Sequence, residues 1–150
     1  MRQMANLRAL KRKRLFLFDL DGTLYLGDTL FPSTGTLLAH IRAHGGQYRF
    51  LTNNSSRSVD AYVEKLARLG IPARPRDFLT SVDALIAHLH AHGMEMQRFY
   101  VCGTESMKSQ LRAAGFTVAD GRESADALLM GFDTELTFQK LEDACILLGQ

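Results

Sequence analysis

The chain has 150 residues, with 18 Lys and Arg against 16 Asp and Glu and a formal net charge of +2 at pH 7. That length accommodates one average domain with a real core, and so even a charge balance excludes a molecule whose whole surface is an electrostatic nucleic-acid binder. No apolar run approaches the ~20 residues of a membrane helix and no signal-peptide pattern precedes the first apolar stretch, while two cysteines, Cys102 and Cys145, suit a reduced cytoplasmic protein better than a disulfide scaffold.

In chain order, Arg8, Lys11, Arg12, Lys13 and Arg14 make residues 1–14 a basic, solvated arm, expected to contact neither nucleic acid nor membrane. Leu15-Phe16-Leu17-Phe18 then reads as a strand buried on both faces of a parallel sheet, with Asp19 and Asp21 at its C-terminal end. Ligands of open α/β sheets bind at that end. Spaced i, i+2 in extended chain, the two carboxylates project to one side. They repel unless one is protonated or a cation lies between them, and oxygen ligands on a short loop favour a hard ion such as Mg²⁺. One aspartate would attack phosphorus and the other would move a proton, with Gly22 allowing a sharp turn and a close backbone approach. The plain alternative is a buried strand that ends in an Asp-rich turn.

Leu24 through Phe31 reads as two short extended pieces around Gly27-Asp28, a small flap. Pro32-Ser33-Thr34 opens a helix with Leu37, Leu38 and Ile41 on one face, ended by Gly45-Gly46. Tyr48-Arg49-Phe50-Leu51 is a second strand, and Thr52-Asn53-Asn54-Ser55-Ser56-Arg57-Ser58 follows it into a helix from Val59 to Leu69. Hydroxyls, amides and free N–H groups at a helix start make an anion site, and an ordinary capping loop is the alternative. After the stiff connector Ile71–Arg76 the pattern restarts as a second α/β unit. Its helix is capped by Ser81 and carries Val82, Leu85, Ile86 and Leu89. The strand Phe99–Cys102 leads through Gly103-Thr104 into a helix with Met107, Leu111 and Ala114. Further strands fall at Phe116–Val118 and Ala127–Met130, and a last helix at Thr137–Leu148 turns Leu141, Ala144 and Leu148 inward. Met107 and Met130 are expected as core filler. The pairs His40/His44 and His88/His92 lack a third ligand or a zinc-helix pattern and are expected at the surface.

D-L-D-G-T-L resembles the first signature motif of the haloacid dehalogenase (HAD) superfamily of phosphatases and phosphotransferases. The resemblance implies Asp19 as nucleophile and Asp21 as general acid/base, both holding Mg²⁺, Asp21 through its backbone carbonyl, with Leu20, Gly22 and Thr23 beside the phosphate. T-N-N resembles the second motif and implies that Thr52 binds the phosphoryl group next to the Asn53 backbone, with Asn54, Ser55 and Arg57 as substrate neighbours. A second α/β unit placed just after that motif resembles class IIA, the NagD-like and p-nitrophenylphosphatase-like phosphatases. L-x-R-L-G-I, Leu79-Thr80-Ser81, V-C-G-T and G-F-D-T-E-L-T-F-Q-K-L from Gly131 are further matches.

The implied fold is α/β, a Rossmann-like core with an inserted α/β cap. Residues 15–78 would supply the N-terminal part of the core, with two of its strands, and residues 79–150 part of the cap. The implied activity is Mg²⁺-dependent hydrolysis of a small phosphorylated metabolite through an aspartyl phosphate, the cap excluding water and choosing the substrate. A phosphotransferase or mutase is an alternative, as is a non-catalytic fragment that binds a partner through its cap; such caps also form homo-oligomer contacts in the family. The family's third motif, with a Lys, and its fourth, with acidic residues, lie downstream of the cap. The expectation is therefore the N-terminal part of a longer protein, slow or inactive by itself.

Overall fold

A computed structural model describes residues 9–149. The basic arm expected over 1–14 thus lies outside the described residues up to Arg8. The chain divides into two compact units, one of residues up to Leu51 with Val63–Leu79, the other of Thr52–Tyr62 with the residues from Thr80 onward.

The first unit is built on a sheet with the order β1 (Leu15–Asp19), β4 (Gln47–Thr52), β5 (Phe78–Thr80), preceded in β4's case by the hairpin β2 (Tyr25–Leu26) and β3 (Thr29–Leu30). β1 and β4 run parallel, Leu15 opposite Gln47 and Asp19 opposite Leu51. Phe16, Phe18, Tyr48 and Phe50 share one face by the two-residue period. Their rings meet at centroid distances of 6.4 Å (Phe18 and Tyr48) and 5.4 Å (Tyr48 and Phe50), and Phe78 continues the row 5.2 Å from Phe50. Helix α1 (Thr34–Ala43) buries Leu38 and Ile41, and α2 (Val59–Arg68) buries Tyr62 and Leu66. Two expectations are corrected here. β1 is not buried on both faces, because Leu15 and Leu17 stand 56% and 57% exposed on the face opposite the aromatic row. The first sheet also has three strands rather than two, since Phe78–Thr80 pairs beside β4. In α1 the inward side is Thr34, Leu38 and Ile41, while Leu37 is exposed. Thr34 turns in because its hydroxyl donates to the Leu24 carbonyl at 2.7 Å.

The second unit has a parallel sheet ordered β7 (Thr117–Val118), β6 (Arg98–Cys102), β8 (Ala127–Met130). Alternation along β6 divides its core. Phe99 and Val101 join Val82 and Leu89 of α3 (Ser81–Ala91), Met107 and Leu111 of α4 (Glu105–Ala113), and Phe116. Tyr100 and Cys102 face the other way, onto Ala144 of α5 (Phe138–Leu148). Thr80 rather than Ser81 caps α3, through a reciprocal box in which its hydroxyl accepts from the Asp83 N–H and the Asp83 carboxylate accepts from the Thr80 N–H.

The period of α5 is as expected but its phase is not. Leu141 and Leu148 are exposed, and the inward side is Lys140, Asp143, Ala144 and Leu147. Each charge there has partners. Asp143 accepts from the Tyr100 hydroxyl at 3.0 Å, from Gln139 at 3.0 Å and from the Arg122 guanidinium. Arg122 holds the Asp143 carboxyl below its ordinary range, and burial pushes the Tyr100 hydroxyl up to about 12. Met130 is likewise not core filler. It ends β8 and is 57% exposed, whereas Met107 is buried as expected. The His40/His44 and His88/His92 rings are exposed. Among the described residues no helix is long and apolar enough to cross a membrane.

Candidate active site

Asp19 is the last residue of β1, and the chain turns immediately after it. The Thr23 and Leu24 N–H groups both donate to the Leu20 carbonyl, at 3.2 and 2.9 Å, and the Gly22 N–H donates to the Tyr25 carbonyl at 2.7 Å. Gly22 has φ of +79°, a left-handed conformation that a side chain would strain. The turn is anchored from below by Leu20, Leu24 and Tyr25, each 2% exposed or less, with the Lys65 ammonium 4.3 Å from the centre of the Tyr25 ring. Its outer side carries Asp19, Asp21, Gly22 and Thr23, all exposed. The Thr23 hydroxyl donates to Asp19 Oδ2 at 3.3 Å, which orients that carboxylate. Leu20 can meet a ligand only through its backbone, because its side chain is in the core.

The donor set on this turn is oxygen only. Among the described residues no group of three or more His, Cys, Asp or Glu stands together to form a full metal cage. Two carboxylates on a tight loop suit a hard cation that takes its remaining ligands from water and a substrate phosphate, which is the habit of Mg²⁺.

Thr52 ends β4 and is buried. Its hydroxyl donates to the Tyr62 hydroxyl at 3.3 Å and accepts from the Asn54 N–H at 3.3 Å. Asn54 folds onto its own loop, its Oδ1 accepting from the Ser56 N–H at 2.9 Å and the Ser56 hydroxyl at 2.7 Å. Asn53 is exposed and Ser55 is buried. Arg57 is exposed just before α2, where the Ser58 hydroxyl accepts from the Ala61 N–H. The structure thus groups Asp19, Asp21, Gly22 and Thr23 on one loop of the first unit, and Thr52, Asn53, Asn54 and Ser55 on one loop of the second.

Sequence reasoning did not find what holds that second loop. The Ser55 hydroxyl accepts from the Phe132 N–H at 2.8 Å, the Ser81 hydroxyl donates to the Asn53 carbonyl at 3.1 Å, and the Thr104 hydroxyl donates to the Ser56 carbonyl at 3.3 Å. Thr104 and Phe132 follow the C-terminal ends of β6 and β8, so the end of the second sheet where a ligand would ordinarily bind is taken up by the loop. The signal was present as the small residues of L-T-S, C-G-T and G-F-D, which carried a resemblance but no physical role. Gly131 completes the fit. A Cβ there would come within 2.6 Å of both Ser55 Oγ and Met107 Sδ. Gly131→Ala should therefore cost roughly 1–3 kcal/mol by overpacking and shift the Asn53–Ser56 amide signals, which urea unfolding and NMR would measure. Unchanged stability and unchanged signals would refute the close packing. Asp133, 3% exposed at its side chain, adds a brace by pairing with Lys140 at 2.9 Å, while Lys140 also donates to the Gly103 carbonyl at 3.2 Å.

A family profile for haloacid dehalogenase-like hydrolases matches residues 16–117. The 5'-nucleotidase YutF of Bacillus subtilis (strain 168) is 31% identical over 91% of this chain and 52% of its own length. The crystal structure of a 4-nitrophenylphosphatase from Thermotoga maritima superposes with a TM-score of 0.85 at 33% identity, covering 93% of this chain and 52% of that one. A glycerol phosphate phosphatase from Mycobacterium tuberculosis, solved in complex with magnesium, gives 0.83 at 27% identity over 92% of this chain and 42% of that one. The chain spans about half the length of the curated relatives it matches. The profile begins one residue into β1 and runs through both loops into the second sheet, and the solved structures match the fold over about nine-tenths of this chain: the protein belongs to the haloacid dehalogenase-like hydrolases, among their NagD-like and nitrophenylphosphatase-like class IIA members.

Proposed function

We propose that this chain carries the nucleophile and acid/base half of a Mg²⁺-dependent phosphomonoester hydrolase acting on a small phosphorylated metabolite. The observation that carries the reading is the Asp19-Leu20-Asp21-Gly22 turn, which exposes two carboxylates at the C-terminal end of a parallel strand and leaves backbone beside them free of side chain. The nature of the relatives supports it: one is a nucleotidase, one a nitrophenylphosphatase and one a glycerol phosphate phosphatase with magnesium bound. In this reading residues 15–78 are part of the catalytic core and residues 79–150 part of a cap.

The Asp19 carboxylate attacks phosphorus, and the bond from phosphorus to the ester oxygen breaks as an aspartyl phosphate forms. Asp21 gives its proton to the departing oxygen, then takes one from the water that attacks the aspartyl phosphate, which releases inorganic phosphate and restores Asp19. Asp19 and the Asp21 carbonyl would hold Mg²⁺, which supplies charge neutralisation as the phosphoryl group moves. The resemblance of T-N-N to the second motif supports Thr52 and the Asn53 backbone as phosphoryl binders, with Asn54, Ser55 and Arg57 on the same loop as substrate neighbours; on the Asp19 turn, Leu20, Gly22 and Thr23 are the candidate phosphate neighbours.

The test is phosphate release from p-nitrophenyl phosphate and glycerol phosphate by the full gene product, with Mg²⁺ and with excess EDTA. Release that stops in EDTA and returns when Mg²⁺ is restored is the expected result. Turnover indifferent to chelation, or none with any phosphomonoester from a folded protein, would sink the reading.

A further inference from the structure

The first unit holds a polar hollow toward the opposite end of its strands from Asp19. It has a volume of about 390 Å³ and is lined by Arg42, Gln47, Tyr48, Arg49, Arg76 and Asp77 among others. Its lining residues Gln47, Tyr48 and Arg49 pair with Leu15, Phe16 and Leu17, so the hollow lies two to four residues before Asp19 along the sheet, ~7–13 Å at the usual rise. It is therefore separate from the turn that carries Asp19 and Asp21.

Its three guanidinium groups come from three different elements: the last turn of α1, the start of β4 and the short 3₁₀ turn Pro75–Asp77. Two are held in place. The Arg42 guanidinium lies over the Tyr48 ring, 4.7 Å from its centre, and Arg49 donates to the Tyr48 carbonyl at 3.0 Å. The single carboxylate in the lining is Asp77. Its Oδ2 already accepts from the Arg74 N–H at 3.0 Å, and its Oδ1 stands 3.9 Å from Arg49, the outer limit of an ion pair. Arg76 is exposed, and among the described residues it has no salt bridge or hydrogen-bonded partner. Three positive charges thus face one that is largely committed to capping. The neighbouring hollow, which shares Gly46, is lined by Lys11, Lys13 and Arg14 and by no carboxylate, so the fields of the two add rather than cancel.

A solvated basic face would have scattered, independently mobile side chains. Here three arginines line one hollow of limited volume, and two of them make contacts of their own. Planar forks held that way match the oxygens of phosphate bidentately, and more than one fork selects an anion with more than one charge. We propose that this hollow binds a small polyvalent phosphate anion, of the class of pyrophosphate and the phosphate chain of a nucleoside polyphosphate. The site is independent of the proposed hydrolase chemistry.

The test is a ¹⁵N NMR titration of the chain with pyrophosphate, in EDTA and about 0.1 M NaCl, a screening that leaves only close contacts effective. Amide shifts should concentrate at Gln47–Arg49 and Arg76–Asp77. Arg76→Glu should weaken the affinity at least tenfold, while Arg112→Glu, the same charge change placed in the second unit, should leave it within about twofold; circular dichroism would show that both variants stay folded. ATP should match pyrophosphate if the phosphate chain alone is read, and should exceed it if a base also docks; either result assigns the source within the proposed class. Shifts confined to Thr52–Ser58, equal loss in both variants, or displacement by DNA duplex at lower phosphate concentration than by ATP would overturn the proposal.

Discussion

Asp19→Asn should abolish phosphomonoester turnover by the full gene product, a loss of at least about 10⁴-fold in kcat, on the scale seen when a covalent nucleophile is removed. The substitution keeps the shape of the side chain, and the Thr23 hydroxyl, 3.3 Å from Oδ2 of the carboxylate, can still donate to an amide oxygen. What it removes is the negative oxygen that attacks phosphorus and one of the two charges that would attract the cation. Because Asp19 is exposed, its loss should leave the unfolding midpoint nearly unchanged. Asp21→Asn is the informative contrast. It keeps the nucleophile and removes the proton carrier, worth about 10²–10⁴-fold. With p-nitrophenyl phosphate, whose leaving group needs little help from an acid, the aspartyl phosphate should accumulate in that variant and be trapped by acid quench. If Asp19→Asn retained even about a hundredth of the rate, the covalent route through Asp19 would be wrong.

Phe50→Ala should be the most damaging single change to the platform on which Asp19 stands, at roughly 3–5 kcal/mol. Phe50 is wholly buried, packs against Tyr48 and Phe78, and pairs with Phe18 in the register that sets Asp19 opposite Leu51. Removing its ring leaves a cavity between all three strands of the first sheet. A domain has only about 5–15 kcal/mol to lose, so the first unit should unfold at markedly lower urea concentration. Two compact units need not unfold together, and residue-resolved NMR would separate them. Signals from Asp19–Thr23 should collapse first, while Phe99, Val101 and Leu111 in the second core persist. Coincident loss of both sets at the wild-type midpoint would contradict the packing described.

The turn at Asp19 was legible because each of its features is local. An apolar run followed by a glycine at a left-handed position dictates a strand and a sharp bend with little reference to the rest of the chain, and both carboxylates end up exposed on that bend. The order of strands and helices was legible for the same reason, since periodicity and caps act within a few residues. The phases of α2, α3 and α4 were legible too, in Tyr62 and Leu66, Val82 and Leu89, and Met107 and Leu111, but those of α1 and α5 were not. The inward sides of α1 and α5 include Thr34, Lys140 and Asp143, polar groups that hydrophobicity places outside and that turn inward only because Leu24, Asp133, Tyr100 and Arg122 arrive to satisfy them.

By itself, then, the sequence determined the α/β alternation, the family, and the turn that carries Asp19 and Asp21, all of which rest on contiguous residues. Only the tertiary structure decided which polar side chains could be buried, that Phe78–Thr80 completes the first sheet, that β1 keeps one face open, and that the Asn53–Ser56 loop is fastened by Ser81, Thr104 and Phe132. The hydrogen bonds among them join residues from 7 positions apart, for Lys140 and Asp133, to 77, for Ser55 and Phe132, and such a bond has no signature in the sequence around either of its ends.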